Sequence, residues 1–82
     1  MARVDQIVAA MRANPVEVRY SELMKVCVHY FGEPRQHGSS HAVFKTAWPG
    51  DPRVNIQSDK GRAKAYQVRQ VLRAIAKLEE GR

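Results

Sequence analysis

With 82 residues, the chain has room for one hydrophobic core and not for two independent domains. Hydrophobic residues make up 44% and recur along the whole length, which excludes a disordered chain, and a formal net charge of +6 excludes an acidic one. Residues 42–82 hold nine Lys and Arg against four Asp and Glu, so five of the six net charges lie in the second half; this directional field suits a polyanion, nucleic acid above all.

A single cysteine, Cys27, cannot form an internal disulfide and falls on the apolar side of a predicted helix, which suits a reducing cytoplasm. No stretch of about 20 apolar residues spans a bilayer, and the first residues lack a secretory pattern. A cytoplasmic protein without a membrane partner is expected.

Val4, Ile7, Val8 and Met11 recur at i, i+3, i+4, i+7, which predicts a helix over residues 2–13, ended by Asn14 before Pro15. After a short linker, Ser21 reads as an N-cap with Glu22 in the first turn. Leu23, Val26, Cys27, Tyr30 and Phe31 form the second stripe, and Gly32 stops it. From residue 33 to 57 the period changes to two. Three strands are expected, at residues 34–37, 41–47 and 53–57, with Gly38, Ser39 and Ser40 as the first turn and residues 48–52 as the second. Alternation puts Ala42, Phe44, Val54 and Ile56 on a covered face, and His41, Val43, Lys45, Arg53, Asn55 and Gln57 on a polar one. Residues 58–62 read as a basic loop leading into a last helix over residues 63–80, buried through Val68, Val71, Leu72, Ile75 and Leu78. Arg69, Arg73 and Lys77 form a like-charge ridge on that helix and read as a solvated face.

His41 opens a strand directly after a small-residue turn whose backbone amides can approach a phosphate. Imidazole takes and returns a proton near neutral pH, as RNA cleavage requires when the 2′-hydroxyl loses a proton and the 5′-oxygen gains one. Lys45 and Arg53 share its predicted face and are candidates to neutralise the developing phosphorane charge.

The run Gly38-Ser39-Ser40-His41-Ala42-Val43-Phe44 resembles the G-S-x-H-x-x-aromatic signature of HicA-family toxins. The element order of residues 20–80 is similar to that family as well: a helix, a three-stranded sheet whose second strand opens with the histidine, a basic loop and a final helix. The resemblance implies an α+β, double-stranded-RNA-binding-like αβββα domain with a three-stranded antiparallel sheet and helices on one face. It further implies the toxin of a type II toxin–antitoxin system, an mRNA-cleaving endoribonuclease held inactive by a HicB-type antitoxin that covers the histidine. Only His41 transfers as catalytic. Ala42 stands where many relatives carry a second histidine, and residues 1–19, an additional helix and linker, lie outside the resemblance. The candidate RNA-binding residues are Gly38, Ser39, Ser40, Lys45, Arg53, Lys60, Arg62 and Lys64.

No metal or other cofactor is expected, because Cys27, His29, His37 and His41 lack zinc-ligand spacing and the acids are scattered. His29 and His37 read as structural and Trp48 as a hairpin brace. The competing function is a non-catalytic RNA-binding module on the same fold, since a fold does not fix a chemistry. His41→Ala discriminates the two: a binder tolerates it and a nuclease does not.

Overall fold

The computed structural model describes residues 3–38, 41–45 and 54–80. In chain order they form α1 (Val4–Ala13), α2 (Tyr20–Phe31), β1 (Gln36–His37), β2 (His41–Phe44), β3 (Val54–Asp59), β4 (Arg62–Ala63) and α3 (Ala65–Glu80). Among the described residues no helix is long and apolar enough to cross a membrane.

The helices follow the predicted stripes. Ile7, Val8 and Met11 are buried on α1, Leu23, Val26 and Cys27 on α2, and Val68, Val71 and Ile75 on α3, where Ala74 is buried as well, while Val4, Tyr30, Phe31, Leu72 and Leu78 at the margins of the stripes are half-buried. Gly32 takes φ 83° at the end of α2, where its N–H bonds to the Val28 carbonyl, a left-handed conformation that glycine reaches without a Cβ penalty. The start of α2 differs from expectation. Arg19, not Ser21, is the N-cap, and the Arg19 carbonyl accepts from Glu22 and Leu23. Pairing of the preceding segment with β4 decides this boundary, because the backbone is held extended up to residue 19.

The sheet is antiparallel with strand order β1-β2-β3-β4. Its register places His41 opposite Gln57, Ala42 opposite Ile56, and Phe44 opposite Val54. The expected three strands are present, and the expected basic loop at 58–62 is corrected: β3 continues through Asp59, turns at Lys60 and Gly61, and returns as the short β4. Lys60 and Gly61 have φ of 54° and 84°, the two positive values that let a two-residue turn match the twist of its strands.

Ala42, Phe44, Val54, Ile56 and Ala63 are buried on one face, where α2 and α3 pack. Phe31 meets Phe44 with ring centroids 6.4 Å apart. The opposite face, with His41, Asn55 and Gln57, is exposed. This is an α+β domain, consistent with the expected αβββα arrangement once the added two-residue β4 is set aside, and preceded by α1.

The N-terminal helix and linker are part of the same core, not an appendage to it. Ile7, Val8, Met11 and Val18 join the single buried cluster. Tyr20 N–H donates to the Gly61 carbonyl at 3.0 Å and Ala63 N–H to the Val18 carbonyl at 2.9 Å, so residues 18–20 run antiparallel to β4.

Candidate functional site

The β1–β2 hairpin sets His41 at the start of its strand. Gly38 N–H donates to the His41 carbonyl at 2.9 Å, and Arg35 N–H to the Val43 carbonyl at 2.7 Å. His41 and Val43 therefore spend their backbone groups on the β1 side.

On the other side, Gln57 faces His41. The Gln57 N–H donates to Gln67 Oε1 at 2.7 Å. A strand residue's N–H and C=O point toward the same edge, so Gln57 also turns its backbone away from β2. His41 and Gln57 then form a non-hydrogen-bonded pair, the class with the closer side chains. Gln67 is only 3% exposed. Its amide occupies the place where a longer β4 would have accepted from Gln57, and its Nε2 donates to Tyr66 Oη at 3.4 Å. A buried acceptor on α3 thus terminates the ladder and fixes the strand carrying the floor of the site.

Around this pair lies an open, polar depression of about 260 Å³, lined by His41, Gln57, Ser58, Asp59 and Lys64. Lys64 directly precedes α3, and its carbonyl accepts from Gln67 and Val68 N–H at 3.0 Å. The partial positive charge of a helix N-terminus adds to the ammonium there. Ser58 Oγ accepts from Gly61 N–H at 3.1 Å, which ties the depression to the β3–β4 turn. The arrangement offers one exposed imidazole for proton transfer, one cation and one carboxylate around a space that admits a phosphate.

Of the candidate RNA-binding residues, the structure brings Lys64 and Gly38 to His41. Lys45 is exposed and stands one residue past the end of β2, outside the lining of the depression that holds His41. Lys60 and Arg62 are exposed, one in the turn and one on β4. Ser39, Ser40 and Arg53 lie outside the described residues, as does Trp48.

Gln57, Asp59 and Gln67 are the residues that sequence reasoning missed. Alternation had already put Gln57 on the polar face, but a pattern of period two carries no information about which residue stands across from it. Asp59 was hidden by its neighbours, since Asp59-Lys60-Gly61 reads equally as loop or hairpin.

His29 is exposed and meets Tyr30 edge to face, with centroids 5.0 Å apart and planes at 81°. Cys27 is buried, and burial pushes its thiol up from 9.0 to about 12, so it is no nucleophile at neutral pH. Among the described residues, no three His, Cys, Asp or Glu side chains group closely enough to hold a metal ion.

The chain matches no family model, no curated protein and no solved structure.

Proposed function

We propose that this protein is an RNA-cleaving toxin of the HicA type on a double-stranded-RNA-binding-like fold, and that His41 performs the proton transfers. The observation that carries the reading is the exposed His41 imidazole on the open sheet face, sharing one polar depression with Lys64. Neutral His41 takes the proton of the 2′-hydroxyl, the 2′-oxygen forms its bond to phosphorus, and the P–O5′ bond breaks. The imidazolium returns the proton to the 5′-oxygen, leaving a 2′,3′-cyclic phosphate. Lys64 meets the charge that builds on the non-bridging oxygens. Every proton has a carrier in this scheme without a metal-bound water. The same uncovered face, basic at its edge, is the surface that a HicB-type antitoxin would cover in the cytoplasm, because occluding the histidine and the cation together stops both binding and chemistry.

The test uses mixed-sequence single-stranded RNA in EDTA, with the wild type and His41→Gln, and a second substrate carrying 2′-deoxy sugars. Cyclic phosphate from the wild type alone, on ribose alone, supports the reading. Cleavage of the deoxy substrate, cleavage by His41→Gln, or activity that appears only with added metal overturns it. RNA binding by both forms with no cleavage by either identifies a binding module.

A further inference from the structure

We infer that Arg19 and Arg62 form a second anion site on the open sheet face, a two-guanidinium clamp for one RNA phosphate beside the His41 depression. The inference rests on the RNA reading above but not on catalysis. Arg19 was not among the candidate residues, because it stands in the linker that the sequence separates from the sheet.

Backbone hydrogen bonds define the geometry. Arg19 and Arg62 bridge across antiparallel segments, with Tyr20 N–H bonded to Gly61 O and Ala63 N–H bonded to Val18 O. The bonds flank the Arg19–Arg62 pair and do not join it, so it is of the non-hydrogen-bonded class, with Cβ atoms about 5 Å apart. Both arginines are exposed, whereas Val18 and Ala63 on either side are buried. The two stems therefore rise together from the uncovered face.

That face is the one that carries His41. Arg62 stands opposite Asp59, Asp59 and Gln57 share a side of β3 by alternation, and Gln57 stands opposite His41.

Like charges directly opposite each other oppose sheet formation. Neither arginine has an ion-pair partner within 4.0 Å among the described residues. Asp59 faces Arg62 from β3, but one carboxylate against two guanidiniums leaves the row positive. A phosphate between the two would turn this repulsion into paired, charge-assisted hydrogen bonds, which suit the planar guanidinium fork. The row lies one pleat from the His41–Gln57–Lys64 row, roughly 7 Å along the strands. The clamp also stands about two and a half strands across from His41, roughly 12 Å at the usual strand spacing, so a single strand crossing the open face diagonally can place one phosphate at the imidazole and another, about two nucleotides further on, in the clamp.

The experiment measures binding of a fluorescent oligouridylate to full-length protein, with His41→Gln as background so that no RNA is consumed, over a series of salt concentrations. Arg19→Ala, Arg62→Ala and the double variant are compared with Arg73→Ala, which removes an equal charge from the exposed side of α3. Thermal melts establish that each variant is folded. Either single substitution should weaken binding roughly tenfold and reduce the salt slope by about 0.7, the value for one single-strand phosphate. The double variant should be little worse than either single, because both arginines hold one phosphate. Asp59→Asn should strengthen binding. Losses no larger than that of Arg73→Ala, or no RNA binding by any form, overturn the clamp. Loss of the slope together with a wild type that cleaves nothing supports the clamp while removing the catalytic role of His41.

Discussion

Gly38 leaves the space that the His41 ring fills: a Cβ at residue 38 would lie 2.5 Å from His41 Cε1, 2.9 Å from Nδ1 and 3.2 Å from Nε2. Gly38 is not in the positive-φ region, so its backbone is open to other residues. The constraint is the missing side chain alone. Gly38→Ala should leave the fold nearly as stable as before while forcing the imidazole to a new rotamer. RNA cleavage by the folded variant should drop by at least tenfold, since a small misplacement of a proton carrier is costly. Unchanged cleavage together with an unchanged imidazole chemical shift would refute this.

Gln67 joins α3 to the floor of the site through the 2.7 Å bond from Gln57 N–H to its Oε1. Gln67→Leu keeps the bulk and removes the acceptor, leaving a part-buried N–H unpaired. The expected loss is about 1–3 kcal/mol, read by denaturant unfolding. Amide exchange at Gln57 should accelerate selectively. Loss of stability without that local change would place the effect elsewhere.

The turn between β3 and β4 asks a lysine to adopt φ 54°. A left-handed conformation costs most side chains about 1–2 kcal/mol, and asparagine less. Lys60→Asn should raise the melting temperature, by about 4–8 °C for each 1 kcal/mol gained in a domain of this size. It should also lower RNA affinity if Lys60 touches the backbone. Gly61→Ala, at φ 84°, should destabilise by about 1 kcal/mol. A melting temperature that falls in Lys60→Asn would contradict the strain at that residue.

Buried Cys27 gives the protein an alkaline limit. The folded thiol keeps its proton to about pH 12, against an ordinary value of 9.0. Between those values the folded state binds more protons than the unfolded one, so this contribution is complete below pH 9.0 and is lost as pH rises toward 12. Unfolding midpoints of the wild type should fall over that window more steeply than those of Cys27→Ala, which has no thiol to ionise. Parallel curves would show that Cys27 is not the group responsible.

Local pattern sufficed for much of this molecule. The stripes through Ile7 and Met11, Leu23 and Cys27, and Val68 and Ile75 predict the three helices, because a period of 3.6 residues is a property of neighbouring positions. Alternation from Ala42 to Phe44 and from Val54 to Ile56 predicts two strands and the exposure of His41 for the same reason. The tertiary structure alone decided what stands beside what. Lys64 came to line the depression with His41 because α3 starts at its rim, a neighbourhood that strand alternation does not encode. Gln57 met His41 because of strand register, which no single segment encodes. Gln67 found a buried acceptor role through an α3–β3 contact ten residues apart in the chain, and Arg19 met Arg62 only when the linker paired with β4. Periodicity is local, so it shows which face each side chain takes, but pairing across strands and helices depends on how the whole core closes.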